Sequence, residues 1–201
     1  MFLACFIRGK KMINSSEVIS KAIHMFAEQN VYTYKYFAPY PYCYLYGAKG
    51  KFISDRQTVI EIFKAEPEYF KRYSELEKEQ IIRNSIGRTA YDCSGFVGWA
   101  CTGDKRYSTG QIENSHNVKT NQSGFVSNPG GSILYTTYGG KGRHIGLDCD
   151  HGWCIDMAYE STDKNCDDGK AGIRLYRIIP DRFNMAWTPW EKSGMSNVVK
   201  Y

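Results

Sequence analysis

The sequence predicts an α+β protein in which helices come first and an antiparallel sheet follows. Residues 14–30, NSSEVISKAIHMFAEQN, begin with capping residues and continue with apolar residues at helical spacing, which is typical of an amphipathic helix. The second half of the chain instead contains short β-rich runs separated by glycine, asparagine and aspartate, which indicate strands. These runs are GSILYTTY, RHIGLDCD, GWCIDMAYE and GIRLYRII. Helical and strand segments separated in this way favour an α+β layout.

Three further segments lie between the first helix and the strands. Residues 31–51 are dense in tyrosine and contain two prolines, which predicts extended or turn structure. Residues 55–83 are charged and helix-prone, with an interruption at Pro67, and we interpret them as a solvated helical insertion rather than a binding face. Residues 92–101, DCSGFVGWAC, predict a turn and then a helix that packs through its apolar residues.

Length and composition favour one domain. The chain has 201 residues, of which 42% are hydrophobic and 23% charged, enough to bury one sizeable core. The first seven residues are mostly apolar and precede Arg8, Lys10 and Lys11, the reverse of the charge order in a secretory signal. We therefore expect synthesis in the cytoplasm, a flexible N-terminal extension at residues 1–11 and a single domain at residues 12–201.

The apolar runs, the net charge and the cysteine content each argue against a class of protein. No apolar run approaches the roughly 20 residues that span a bilayer. The net charge of +5 is modest and the basic residues are dispersed, which argues against nucleic-acid binding and suits association with an anionic polymer such as a bacterial cell wall. Seven cysteines at irregular spacing argue against a complete disulfide framework.

Cys93 is the first candidate for chemistry. At the start of a helix, its thiolate would be favoured by the helix dipole and by the unpaired N–H groups of the first turn. Free cysteines are more often just small buried apolar residues, so Cys93 alone does not establish a nucleophile. A thiol nucleophile also needs a base within reach and a group that orients the base.

The chain has four histidines, and His144 is the candidate base. His24 lies on the predicted first helix and His116 lies in a polar loop, and we assign neither of them a role in the chemistry. His144 begins one predicted strand and Asp156 lies twelve residues later in the next. An even separation places both side chains on one face of a regular hairpin. The turn decides whether they are directly opposite or diagonal neighbours, and both arrangements leave an imidazole and a carboxylate close enough to pair.

A zinc site is the competing interpretation of the same hairpin. Cys149, His151 and Cys154 are close in sequence. Their spacing is not that of a CxxC pair, strand alternation sends neighbouring side chains to different faces, and the sequence offers no second pair of ligands. We predict neither a metal nor another cofactor.

Taken together, these residues resemble the NlpC/P60 family of cell-wall cysteine peptidases. The similarity covers roughly residues 40–160 and depends on the order and spacing of short motifs. The motifs are YLYGAKG at 44–50, DCSGFV at 92–97, NPGGSILY at 128–135, HIGLD at 144–148 and CIDMA at 154–158. The resemblance implies a papain-like α+β fold, in which a helix bearing the cysteine packs on a small antiparallel sheet that carries the histidine.

The resemblance also implies roles for individual residues. Cys93 corresponds to the nucleophile, His144 to the general base and later acid, and Asp156 to the third, orienting residue, which is frequently a histidine in the family. The motif NPGG has Gly131 where the family usually has aspartate.

Three further positions match residues that the family uses around its substrate. Tyr44 matches the tyrosine that flanks the catalytic cysteine. Asp92 and Ser94 match positions beside the nucleophile that help to hold the peptide. We therefore expect these three side chains to bind substrate.

The expected function is hydrolysis of an amide bond in peptidoglycan stem peptides, at the γ-D-glutamyl bond to the diamino acid. Cleavage between N-acetylmuramic acid and L-alanine is the alternative, since the same catalytic groups serve any amide. A non-catalytic wall-binding module and a hydrolase of lipid or protein amides also stay open. We expect the protein to act on the cell wall after its release, as phage lysins do, or on muropeptides that have been imported into the cell.

Overall fold

The structure is a computed structural model with a mixed α+β architecture, as the sequence predicts. It describes residues 15–36, 41–103, 108–109, 119–121, 133–136, 144–149, 152–158, 172–178, 183 and 185–187. The predicted N-terminal extension at residues 1–11 lies outside the described residues. The same is true of the start of the predicted domain at residue 12, and of His116, Gly131 and His151.

Five helices and nine strands form the described part of the chain. In order, they are α1 (Ser15–Tyr36), β1 (Tyr42–Tyr44), β2 (Lys49–Phe52), α2 (Arg56–Ala65), α3 (Pro67–Phe70), α4 (Glu75–Ser85), β3 (Thr89–Tyr91), α5 (Cys93–Thr102), β4 (Lys119–Asn121), β5 (Ile133–Thr136), β6 (His144–Asp148), β7 (Trp153–Ala158), β8 (Gly172–Arg177) and β9 (Met185–Trp187). Among the described helices, none is both long and apolar enough to cross a membrane.

Helix α1 is longer than predicted. The sequence indicates extended structure from residue 31, but residues 31–36 continue the helix. The prediction is wrong for these six residues because proline, which ends helices, first appears at Pro39, and the tyrosines before it do not break a helix that has already begun.

A small sheet with the strand order β1-β3-β2 leads directly into α5. Strand β1 is parallel to β3 and pairs Tyr44 with Tyr91, whereas β2 is antiparallel to β3. Parallel neighbours require a long crossover connection, and β2 together with α2, α3 and α4 supplies it. As a result, Tyr44 lies beside the strand residue that precedes the α5 N-terminus by only two positions.

The larger sheet has six antiparallel strands in the order β4-β9-β5-β6-β7-β8. Helices α1 and α5 pack against it and share one apolar core with it. Phe96 and Val97 of α5 are fully buried in this core. The sheet contributes buried residues from β5, β6, β7 and β8, which include Ile133, Tyr135, Ile145, Leu147, Ile155, Met157 and Ile173.

The helical segment after β2 is packed, which corrects its interpretation as a solvated insertion. Val59 and Ile62 of α2, Phe70 of α3 and Ile81 and Ile82 of α4 are buried in a second apolar cluster with residues of the small sheet. Pro67 does not merely interrupt the helix, since it occupies the first turn of α3, where a missing N–H costs no hydrogen bond. Only the outer face of the segment is charged.

Gly146 of β6 allows β6 and β7 to pair closely. It lies opposite Asp156 of β7. A Cβ atom added at Gly146 would be 3.1 Å from the Asp156 Cβ, 3.1 Å from the Ile155 carbonyl oxygen and 3.1 Å from Phe183 Cζ. Two of these three neighbours belong to β7 itself, so relief of the crowding requires the strands to shift.

We therefore expect Gly146→Ala to destabilise the protein by about 1–3 kcal/mol, the usual range for overpacking a filled core. Urea denaturation followed by tryptophan fluorescence measures the change. An unchanged midpoint would show that this part of the sheet has room for a methyl group.

Candidate active site

Cys93 is the first residue of α5, as the sequence predicts. The helix is capped by Asp92, whose side chain accepts a 2.6 Å hydrogen bond from the Gly95 N–H. The backbone carbonyl of Asp92 accepts a further hydrogen bond from the Phe96 N–H. The thiol therefore lies at the positive end of the helix dipole, and Cys93 keeps 5% of its surface exposed.

The structure brings His144 to Cys93. His144 is the first residue of β6, and its ring lies near the Cys93 side chain and hydrogen-bonds to Asp156. The His144 Nε2 and Asp156 Oδ2 atoms are 2.7 Å apart, which leaves Nδ1 for the thiol. The ring also stacks on Phe183, with centroids 5.8 Å apart. Two polar partners and one aromatic face thus fix the imidazole.

The register of the β6–β7 hairpin explains why the side chains of His144 and Asp156 lie close together. Asp156 is paired with Gly146, and His144 lies two residues before Gly146 in β6, on the same face of the sheet. Of the two arrangements that the sequence leaves open, the diagonal one is found. A one-residue slip would turn Asp156 to the opposite face of the sheet.

Asp156 is completely buried and is held by strand β8 as well as by His144. Arg174 lies directly opposite it in the β7–β8 pairing. The Arg174 Nε and Nη2 atoms donate to Asp156 Oδ1 at 3.0 Å, and Nη2 also donates to Oδ2 at 3.0 Å. The Tyr176 hydroxyl donates to Oδ2 at 2.7 Å. The carboxylate is therefore hydrogen-bonded on both oxygens.

Sequence reasoning missed Arg174 and Tyr176. Their signal is an arginine and a tyrosine at alternate positions of an apolar strand, GIRLYRII, which places both on one face. A buried strand with an arginine predicts an acidic partner. The sequence does not identify Asp156 as that partner, because the loop between β7 and β8 leaves the register open.

The network sets the charge states of its members. Burial alone would lower the pKa of His144, but hydrogen bonds and charges from Asp156 and Cys93 outweigh it and raise the pKa to about 10. Burial would raise the pKa of Asp156, yet the hydrogen bond and charge of His144 and the charge of Arg174 lower it. Burial and the nearby Asp156 charge raise the pKa of Tyr176. The buried site thus favours an imidazolium, a carboxylate and a neutral phenol.

Tyr44, one of the three predicted substrate-binding residues, lies beside the thiol at the end of β1. Its pKa is well above the usual value, first because of burial and then because of the charge on Cys93. Tyr44 lies near Tyr69 of α3, and Tyr69 stacks on Tyr46 with ring centroids 3.7 Å apart. The helical segment that we interpreted as a solvated insertion therefore contacts the site.

Asp92 and Ser94 lie on either side of Cys93, but their side chains are already engaged within the protein. The Ser94 hydroxyl donates to Asp92 Oδ1 at 3.1 Å. The Lys49 ammonium group is 2.7 Å from Asp92 Oδ1 and 2.5 Å from the Ser94 Oγ. Lys49 lies in the motif YLYGAKG, but its place beside Asp92 was not predicted, because the small sheet brings it here from more than 40 residues away.

The other described cysteines are buried or half-buried thiols. Burial raises the pKa of Cys43 to about 11 and that of Cys101 and Cys154 to about 12. The Cys154 thiol donates to the Tyr176 carbonyl oxygen at 3.5 Å. Within the described part of the chain, no group of three or more histidine, cysteine, aspartate or glutamate residues is arranged to hold a metal ion.

No known protein family matches the sequence by its family model, and no curated protein is significantly similar to it.

Arg174 is expected to be necessary for stability. In Arg174→Met, the buried carboxylate of Asp156 loses three hydrogen bonds and its arginine partner, and we expect destabilisation by about 3–5 kcal/mol. Arg177→Met is the matched control on the same strand, because its guanidinium lies 4.7 Å from the ring centroid of the exposed Trp153 and should contribute about 1 kcal/mol or less. Equal urea midpoints for the two variants would contradict this assignment.

The raised pKa of His144 predicts a pH-dependent contribution to stability. The pKa in the folded protein, about 10, lies above the ordinary value of 6.5. The folded state therefore binds the proton more tightly, and the contribution is complete below about pH 6.5 and lost as the pH rises towards 10. The difference in free energy of unfolding between the wild type and His144→Gln should shrink over this range. His24→Gln, at an exposed position of α1, is the control. A constant difference would contradict the raised pKa.

Proposed function

We propose that this protein is a cysteine hydrolase of the NlpC/P60 type that cleaves an amide bond in peptidoglycan stem peptides. The observation that carries the proposal is the cluster of Cys93, His144 and Asp156 at the start of α5, in which His144 lies near Cys93 and hydrogen-bonds to Asp156. A cysteine-bearing helix packed on an antiparallel sheet that presents the histidine is also the arrangement that the family resemblance implies for a papain-like fold.

The geometry supports an acyl-transfer mechanism. The proton of the Cys93 thiol rests on His144 as an imidazolium, and the thiolate attacks the amide carbonyl to form a tetrahedral intermediate. The backbone N–H of Cys93 and a nearby donor stabilise the developing oxyanion, since the first turn of a helix leaves its N–H groups without intrahelical partners. His144 then protonates the leaving amine, and water releases the acyl group from Cys93.

Asp156 acts through His144 in this mechanism. Its hydrogen bond to Nε2 holds the ring in the tautomer and orientation that present Nδ1 to the thiol, and its charge stabilises the imidazolium. Arg174 compensates the charge of Asp156 in the protein interior. The carboxylate therefore stays ionised and does not take the proton that His144 must deliver to the leaving group.

The substrate proposed first is the γ-D-glutamyl bond to the diamino acid. Cleavage between N-acetylmuramic acid and L-alanine is the second candidate, because the catalytic groups are the same and only the surrounding subsites choose the bond. The net charge of +5 favours approach to an anionic wall polymer in either case.

Digestion of purified peptidoglycan followed by mass spectrometry of the fragments tests the proposal. New free amines on the diamino acid identify the endopeptidase, and new N-terminal L-alanine identifies the amidase. We expect Cys93→Ala to lower turnover by about 10⁴-fold or more, as removal of a nucleophile does in hydrolases with a catalytic triad. Cys101→Ala, eight residues later in the same helix and also buried, is the matched control and should retain activity.

Full activity of Cys93→Ala would exclude the mechanism. The absence of any product from the wild type would instead favour a non-catalytic wall-binding module with the same fold, which a pull-down with insoluble peptidoglycan would then detect.

A further inference from the structure

Tyr46 lies in a tight turn that is attached to the backbone directly in front of the nucleophile. The turn is closed by a 3.0 Å hydrogen bond from the Ala48 N–H to the Leu45 carbonyl oxygen. At one end of the turn, the Leu45 N–H donates to the Tyr91 carbonyl oxygen at 3.0 Å. At the other end, the Ala48 carbonyl oxygen accepts from the Asp92 N–H at 2.7 Å. The half-buried Tyr46 is therefore fixed close to the candidate active site.

The helical segment formed by α2, α3 and α4 packs on this turn and adds two layers to Tyr46. An added Cβ atom at Gly47 would lie only 2.9 Å from Glu66 Cγ, so the contact is close. The rings of Tyr46 and Tyr69 are stacked, with centroids 3.7 Å apart and planes 5° from parallel. The guanidinium carbon of Arg72 lies over the Tyr69 ring, 3.8 Å from its centroid. Because Tyr46 covers one face of Tyr69, Arg72 covers the other.

Arg72 is the outermost layer of this Tyr46–Tyr69–Arg72 stack and is exposed. Its Nη2 donates to the Tyr73 hydroxyl at 3.0 Å, and its guanidinium carbon is 5.0 Å from the Tyr73 ring centroid. The neighbouring Lys71 instead forms an ion pair with Glu68. Among the residues that the structure describes, Arg72 forms no ion pair with a carboxylate, so its charge is left for another anion.

A guanidinium held against a ring is well prepared to bind an anion. The contact with Tyr69 uses the face of the group, whereas its N–H donors lie along its edges and can bind both oxygens of a carboxylate. The ring contacts and the Tyr73 hydroxyl already restrict the Arg72 side chain, so less conformational entropy is lost on binding. Both faces of Tyr69 are covered, so this ring offers no surface to a sugar. The stack therefore favours a carboxylate as its ligand.

Tyr46 also relates the stack to the nucleophile electrostatically. Burial raises the pKa of Tyr46, as do the charges of Glu66, Asp92 and Cys93, whereas the charge of Arg72 lowers it. One phenol is therefore near enough to both the thiol and the guanidinium to be influenced by each. A peptide several residues long that is bound at Cys93 can extend as far as Arg72.

The geometry points to Arg72 as a specificity-determining residue that binds a carboxylate of the stem peptide while Cys93 attacks the amide bond. The carboxylates of D-glutamate and of the diamino acid are the groups of the substrate with the required chemistry. The inference rests on the proposed hydrolase function and adds a residue from the helical segment to its substrate recognition.

Two forms of one soluble muropeptide test the inference. The first is the disaccharide-linked tripeptide L-alanyl-γ-D-glutamyl-diaminopimelate with its carboxylates free, and it contains both candidate bonds. The second is the same molecule with these carboxylates converted to amides. For the wild-type protein we expect kcat/KM to be at least about tenfold higher for the free form, because charge-assisted hydrogen bonds to Arg72 are lost in the amide. Amidation of one carboxylate at a time then identifies the group that Arg72 binds.

Two variants assign the preference to Arg72. In Arg72→Gln, the cation is removed from an exposed position, and we expect the preference for the free form to fall by about tenfold. Lys71→Gln is the matched control, because it removes the same charge from the adjacent exposed residue, and it should keep the preference of the wild type. An equal loss of preference in both variants would indicate a general effect of surface charge and would overturn the role of Arg72.

The outcomes separate this inference from the proposed function. Equal cleavage of both forms by the wild type, or an unchanged preference in Arg72→Gln, overturns the role of Arg72 and leaves the hydrolase in place. Cleavage of intact peptidoglycan with neither soluble form cut also overturns it, because a carboxylate site near the nucleophile should serve the isolated repeat unit. Failure to cleave peptidoglycan and both soluble forms overturns the proposed function and the inference together.

Discussion

The buried carboxylate of Asp156 is the constraint on which the rest of the site depends. A charge removed from water is tolerated only where partners replace its hydration, and three side chains from two neighbouring strands do so here. His144 comes from β6, and Arg174 and Tyr176 come from β8. The three strands are therefore held in one register by a single group. The same hydrogen bonds that make this register favourable also orient the imidazole towards Cys93.

Charge compensation extends across the whole site. On one side of the thiol, the negative charge of Asp156 is matched by Arg174 and by an imidazole whose pKa is raised. On the other side, the negative charge of Asp92 is matched by Lys49. Each carboxylate thus has a dedicated cation. A thiolate at Cys93, paired with the His144 imidazolium, is therefore not strongly repelled by either carboxylate. Without the charges of Arg174 and Lys49, the same two carboxylates would disfavour the thiolate.

Local sequence signals predicted the parts of this arrangement that local forces determine. Asp92 is a strong helix cap and places Cys93 at the start of α5, and the even spacing of His144 and Asp156 puts them on one face of a hairpin. Partners that depend on long-range register could not be predicted. Arg174 reaches Asp156 only because β8 pairs with β7 in one particular alignment. The papain-like identity of the fold and the NlpC/P60 relationship stay predictions.

Because β8 must pair with β7 to complete the site, the site can form only after β8 has been synthesised. The chain emerges from the ribosome from its N-terminus, so Cys93 and its helix are made about 80 residues before Arg174 and Tyr176. Until β8 is present, Asp156 has no arginine from that strand beside it and the sheet around His144 is unfinished. A nascent chain therefore carries its thiol long before it carries an oriented base. If the protein hydrolyses amides, this order of synthesis delays the activity until most of the domain exists.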